Sequence, residues 1–381
     1  MRGIRPLCLF LVVLGVALPG CSDSNCAVGA AGCECTGGGA CDAGLVCASD
    51  VCKPASECSG GACVTCGAGV YDCNLDAADG CESSTPCAAA VFVASAGLWP
   101  RGLAKDADNL YWVSYDTDAG AVSRVALSGG PAITIASAQV APYDLAVSNG
   151  ELFWVNNHGS GAVIKMATTG GQTTVIEEQY MPWSLAVDQT SVYWVTGEDG
   201  GVVASDLRDG SDRTYLLRAQ PRARALSLYN DTLYWVVRGY GDADGAVLAM
   251  PKNGSAATPV VSGQPFPLNL AVTAAGIFWV NRGLLGATSF DDGAIMKLGH
   301  GETTPTTLAA GQGDPEGIAL NATHVFWTNG GTGEVMRVNI TGGAPETLAS
   351  GQSYPCDVLV DGRAVYWSCC GDGTIGRAVV P

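Results

Sequence analysis

PYDLAVSNGELFWVNNHGSGAVIKMATTGGQTTVIEEQ, residues 142–179, contains four short apolar runs set apart by turn residues. DLAV comes first, then a polar turn, then LFWV, then a loop rich in Asn and Gly. GAVIKM follows, and a TTGG turn leads into TTVI. Short β-branched and aromatic runs bounded by Gly, Asn and Asp are strand signals. LFWV is apolar on both alternations, so it belongs in a sheet covered on both faces.

The same order recurs. Aromatic–tryptophan runs stand at LYWV 110–113, LFWV 152–155, VYWV 192–195, LYWV 233–236, IFWV 277–280, VFWT 325–328 and VYWS 365–368. Their tryptophans, 112, 154, 194, 235, 279, 327 and 367, are spaced by about forty residues. Four strands repeated at that period are the pattern of a β-propeller. The expected fold is all-β: a seven-bladed β-propeller with four-stranded blades over residues 89–381, after a small disulfide-rich segment. The last repeat stops after TIGRAVV, one strand short, and AVFVASAGLWP before the first repeat looks like the fourth-strand segments TTLAAGQGDP and TTLASGQSYP. Residues 91–94 are therefore expected to complete the last blade and remove its open edge.

The N-terminus has a different character. Arg2 and Arg5 precede an apolar run over 7–18, the length of a secretory signal and too short to span a bilayer. It ends in LPGC, which resembles the lipobox of bacterial lipoproteins. That resemblance implies a signal peptide over 1–20, lipid on Cys21, and an exported chain held to the cell envelope, at the outer membrane or surface. Of the 17 cysteines, twelve lie between Cys26 and Cys87. In an exported chain that density reads as a disulfide-stapled stalk over 21–88. Within it Asp72, Asn74, Asp76 and Asp79 place oxygen ligands at near-alternate positions, a weak calcium pattern. Ala77 and Ser83 break the EF-hand template, and a polar disulfide-bonded turn explains the same residues. The formal charge of −17 argues against nucleic acid, which needs a basic patch.

Cys8 would leave with the signal peptide and Cys21 would carry lipid, so three cysteines remain, Cys356, Cys369 and Cys370. Cys356 begins the first strand of the last repeat and the other two follow its aromatic strand. Cys356 is expected to bridge to Cys369 or Cys370, with one thiol left over. A bond between the adjacent pair is the rival, and its Cα spacing of about 3.8 Å is short for a disulfide.

FWTN at 326–329 and PEGIAL at 315–320 resemble YWTD and NHL propeller repeats. The resemblance covers residues 89–381. It implies fold more than activity, because such propellers include receptors, scaffolds, lactonases and an antibiotic lyase.

Residues that recur in most repeats belong to packing. These are the aromatic–tryptophan pairs and the glutamines Gln139, Gln179, Gln220, Gln264, Gln312 and Gln352, expected to bond backbone groups between blades. Variation concentrates in two loop sets on one face, around the channel mouth. The loops after the aromatic strands carry Tyr115, Asp116, Asp118, Asn156, Asn157, His158, Glu198, Asp199, Arg238, Tyr240, Asn281, Arg282 and Asn329. The loops entering the first strands carry Arg101, Tyr143, Asp144, Trp183, Arg222, Arg224, Asn269, Glu316 and Asp357. Mixed charge with aromatics at a channel mouth suits a polar ligand. The leading expectation is a surface-anchored, non-enzymatic binding or scaffold propeller for a protein or glycan. The alternatives are a lyase or lactonase, with His158 paired to Glu198 or Asp199 as acid and base, and a structural component of an envelope complex. No metalloprotease, nucleophile-elbow or phosphate-loop motif is present.

Overall fold

The structure is a computed structural model; it describes residues 45–48, 51–54 and 90–380, apart from 94, 179, 198–200, 206–212, 219–221, 242 and 284–290. The chain divides into two compact units, Met1–Thr85 and Pro86–Pro381. In the first, Leu45–Ala48 pairs antiparallel with Val51–Pro54, which sets Cys47 opposite Cys52. Cys21 and the calcium candidates Asp72, Asn74, Asp76 and Asp79 lie outside the described residues.

The second unit is a β-propeller of seven four-stranded antiparallel sheets. Six are continuous in sequence, over residues 100–139, 142–178, 182–218, 223–264, 267–312 and 315–349; these are blades 1 to 6. Blade 7 joins Pro355–Asp361, Ala364–Cys369 and Thr374–Val379 to Ala90–Val93, which pairs with the last of them. The first strand of each blade packs on the first strand of the next, and that of blade 7 packs on that of blade 1. These seven strands line the central channel.

The absence of polar alternation in the aromatic strands follows from this packing. In blade 1, Tyr111 and Val113 turn toward blade 2 and meet Trp154 and Leu152. Leu110 and Trp112 turn the other way and meet Tyr366 of blade 7. All seven tryptophans are fully buried.

Burial leaves each indole N–H in need of an acceptor. Trp154, Trp279, Trp327 and Trp367 donate to Oε1 of Gln139, Gln264, Gln312 and Gln352, at 3.0, 3.1, 2.8 and 2.8 Å. Each glutamine stands at or just past the end of the preceding blade, and its Nε2 donates to the carbonyl two residues back. The glutamines thus differ from expectation: the contact between blades is to a side chain, and the backbone contact is local. Gln179 and Gln220 lie outside the described residues.

The seam between blades 7 and 1 solves the problem differently. Gly97 stands where this register has glutamine, and a Cβ there would run into Ser114 Oγ. Its φ of +96° is one that L side chains rarely adopt. The Ala96 carbonyl takes the bonds instead, from Trp112 Nε1 at 2.7 Å and Ser114 Oγ at 2.5 Å. Of the disulfide alternatives, Cys356–Cys370 is formed, with Cα atoms 5.9 Å apart; Cys369 is free and buried.

Replacing Gln312 by Ala is expected to strand the indole of Trp327 and the amide of Asn329. That should lower stability by roughly 1–3 kcal/mol per buried orphan, measured by urea unfolding. Val93→Asp puts a carboxylate against Trp112 and Tyr366. We expect it to open the seam, with a lower melting temperature and concentration-dependent association through the freed edge of Thr374–Val379.

Candidate functional site

Each blade begins with the same backbone device. The residue before the first strand sits at positive φ: Trp99 (47°), Ala141 (49°), Met181 (45°), Arg222 (60°), Phe266 (56°), Asp314 (59°) and Tyr354 (52°). For a non-glycine residue this costs roughly 1–2 kcal/mol, so something must hold it. In every blade its carbonyl accepts the N–H of the first loop residue after the aromatic strand. Those donors are Tyr115, Asn157, Gly197, Arg238, Arg282, Gly330 and Cys370, at 2.8 to 3.3 Å. Immediately beyond, the pairing of first and second strands slips in all seven blades. A bulge of this kind re-aims side chains. Here the residues at the slip line the channel.

They enclose a cavity of about 240 Å³, lined from blade 1 onward by Arg101 and Gly102, Tyr143 and Asp144, Trp183 and Ser184, Arg224 and Ala225, Leu268 and Asn269, Glu316, and Cys356 and Asp357. One arc alternates guanidinium and ring. Arg101 donates to Tyr143 Oη (3.2 Å), Tyr143 meets Trp183 edge-on (4.8 Å), and Arg224 lies 3.6 Å over Trp183. At the rim, Arg222 lies 4.2 Å over Tyr240 and Arg238 lies 3.8 Å over Phe266. Arg238 Nε has no hydrogen-bond partner among the described residues. Burial, then the nearby charges of Arg282 and Arg222, push its pKa down to about 10.

The opposite arc is acidic. Arg282 forms a two-pronged pair with Asp314 and reaches Glu316 at 3.3 Å; Tyr354 Oη donates to Glu316 at 3.0 Å. Burial raises the pKa of Glu316 against the opposing charges of Arg282 and Arg101. Asp144 and Asp357 are tied to backbone. Asp357 Oδ2 accepts the N–H of Leu103 across the seam (2.8 Å), and Oδ1 that of Val358 (2.9 Å). Asp144 Oδ2 accepts from Ser184 Oγ (2.7 Å) and the N–H of Leu185 (3.1 Å), and Ser184 Oγ accepts the N–H of Leu226 (3.0 Å). One hydrogen-bond chain thus links blades 2, 3 and 4. Burial pushes Asp144 up to about 6 despite those donors, with the charge of Asp357 adding to the rise.

The predicted site residues separate into groups. Trp183 and Asp357 line the cavity, as do Arg101, Tyr143, Asp144, Arg224, Asn269 and Glu316. Tyr115 packs edge-on against Tyr143 (6.3 Å), while Arg238, Arg282 and Tyr240 form the rim beside it. Asn157, Asn281 and Asn329 do not present their amides to the channel. They donate to Pro182 O (2.8 Å), Gln264 Oε1 (3.0 Å) and Gln312 Oε1 (3.1 Å), so they belong to the joints between blades. Asp116 shapes its own loop by accepting the N–H groups of Asp118 and Ala119. His158 is exposed, bonds Ser160 at 3.2 Å, and does not line the cavity. Glu198 and Asp199, its expected partners, lie outside the described residues. No cluster of metal-ligating side chains occurs among the described residues. Sequence reasoning missed Ser184, Leu268 and Cys356 as lining residues. Aligning the blades on the proline that opens most first strands brings Leu268 and Cys356 into one column with Tyr143, and Ser184 into the next with Asp144 and Asp357.

No protein-family model and no curated protein matches the chain. Solved structures do. A catalytically inactive histidine-to-alanine variant of virginiamycin B lyase from Staphylococcus aureus with Quinupristin superposes with a TM-score of 0.62 at 12% identity, covering 77% of this chain and 99% of that one. A streptogramin B lyase gives 0.61 at 12% identity, over 76% and 96%. An oligogalacturonate lyase in complex with manganese gives 0.55 at 12% identity, over 76% and 91%. At such identity the likeness is one of fold.

Asp144 has a folded pKa above its unfolded value. Its contribution to stability is therefore fully present below about pH 4 and is lost as pH rises through about 6. Relative to Asp144→Asn, the wild-type chain is expected to lose on the order of 1–3 kcal/mol across that window. Thermal melts at half-unit steps of pH would show a pH-independent difference if the carboxyl titrated normally.

Proposed function

We propose that this chain is an exported, envelope-anchored binding propeller that holds a protein or glycan at its channel mouth. The observation that carries this reading is the cavity on the channel axis. Its lining combines guanidinium groups, aromatic rings and hydrogen-bonding side chains from successive blades, on strands instead of mobile loops. Such sites are precise because packing fixes their side chains. The volume, about 240 Å³, lies just below the range of roughly 300–1,000 Å³ usual for whole small molecules. It suits one unit or one side chain of a larger ligand, whose remainder would rest on the rim.

The acid–base role proposed for His158 gains no support from its exposed position away from the cavity. At 12% identity the lyases of similar fold contribute no site to this reading. Attachment rests on the lipobox-like LPGC and Cys21; radiolabelled palmitate should be incorporated by the chain and not by Cys21→Ser.

The purified chain is expected to show no turnover of lactones or streptogramin-type esters. Ligand binding should change the fluorescence contributed by Trp183, a change absent in Trp183→Phe. Turnover that disappears in His158→Ala would overturn the reading in favour of an enzyme.

A further inference from the structure

We infer that the mouth takes a carboxylate-bearing glycan chain. One uronic-acid unit sits in the cavity with its carboxylate toward Arg101, and neighbouring sugars lie on the exposed aromatic rim. The inference rests on the mouth being a binding site and specifies what it binds.

The first argument is one of charge. The chain has 36 acidic residues against 19 lysines and arginines. Away from the mouth, Arg124, Lys297 and Arg363 donate to backbone carbonyls, and four other basic side chains have carboxylate partners: Lys105 with Asp361, Lys165 with Glu151, Lys252 with Asp188, and Arg337 with Glu346. At the mouth, Arg101, Arg222 and Arg238 have none within ion-pair distance among the described residues. Arg101 bonds the Tyr143 hydroxyl, Arg222 a backbone carbonyl, and Arg238 lies on a ring. The charges of Glu316 and Asp357 act on Arg101 from a distance, but none of the three arginines is ion-paired among the described residues. The acids nearby are already engaged. Asp144 and Asp357 accept backbone N–H groups from neighbouring blades, and Glu316 is held by Arg282 and Tyr354. The unpaired positive charge therefore faces the cavity and rim, where an incoming carboxylate gains charge-assisted hydrogen bonds.

The second argument is one of shape. Trp99, Tyr180 and Tyr240 are 50%, 50% and 63% exposed, and each sits in or beside a mouth loop. Large exposed aromatics next to a polar cavity offer flat faces for the C–H faces of sugar rings. A cavity of one-unit size flanked by such platforms fits a chain longer than the cavity.

Calorimetry with the full chain tests this. The probes are hexamers of galacturonate, glucuronate and mannuronate, together with the methyl-esterified galacturonate hexamer. At least one acid hexamer is expected to bind, and its Arg101→Gln complex to be weaker by about ten-fold or more, the loss of one charge-assisted hydrogen bond. The ester should bind at least as poorly. Tyr240→Ala, at an exposed position where folding is safe, should weaken binding several-fold. Raising salt from about 50 to 500 mM should weaken it further. Failure of all three acid hexamers to bind, or equal binding of the ester, overturns the carboxylate assignment. A different ligand lost in Arg101→Gln would then leave the mouth standing as a binding site. An acid hexamer bound equally by wild type, Arg101→Gln and Tyr240→Ala overturns the mouth assignment itself.

Discussion

An indole buried between two sheets has one polar atom, and the molecule is organised around giving it a partner. Each tryptophan strand supplies apolar area to both neighbouring blades, so its N–H cannot reach water. Where the described residues include the partner, it is the glutamine at or just past the end of the previous blade, or at the seam the Ala96 carbonyl. The bond fixes the height and rotation of one blade against the next. Asn281 and Asn329 join the same acceptors. They serve as part of the joint, although their place in the loops after the aromatic strands suggested exposure.

The site inherits its precision from that rigidity. Seven residues in the left-handed region, each held by a bond from its own blade, set the direction in which a first strand enters the channel. The slip that follows turns side chains inward. The chemistry at these positions then varies freely from blade to blade, because the backbone no longer depends on it. Position by position the column reads Arg101, Tyr143, Trp183, Arg224, Leu268, Glu316, Cys356. One scaffold thus presents an arginine–aromatic arc and an acidic arc across a single channel.

The period of the tryptophans was legible in the sequence because burial on both faces forces it. The return of Ala90–Val93 to the last blade was legible because that blade lacked a strand and the N-terminal segment matched its type. The loop residues around the mouth could be gathered on one face by counting strands. What could not be read was which of them point inward. That depends on a backbone slip and a positive φ at Trp99, Ala141, Met181, Arg222, Phe266, Asp314 and Tyr354, none of them glycine. The cysteines show the same limit. Counting placed Cys356 near the CysCys pair, but only geometry distinguishes Cys370, whose loop N–H already binds the Tyr354 carbonyl, from Cys369 at the end of the strand.

The seam has a mechanical side. Every residue before Ala90 is joined to the propeller through the strand that closes it, so tension on the N-terminal portion of the chain arrives first at Ala90–Val93. That strand is held to Thr374–Val379 by backbone bonds and by the packing of Phe92 and Val93 on Tyr366 and its neighbours. No covalent bond among the described residues crosses from it to the rest of blade 7, whereas Cys356–Cys370 ties that blade's innermost strand to its mouth loop. Under a pull the load path therefore runs through the outer, non-covalent edge. The stapled inner edge, with the channel beside it, is the part that force reaches last.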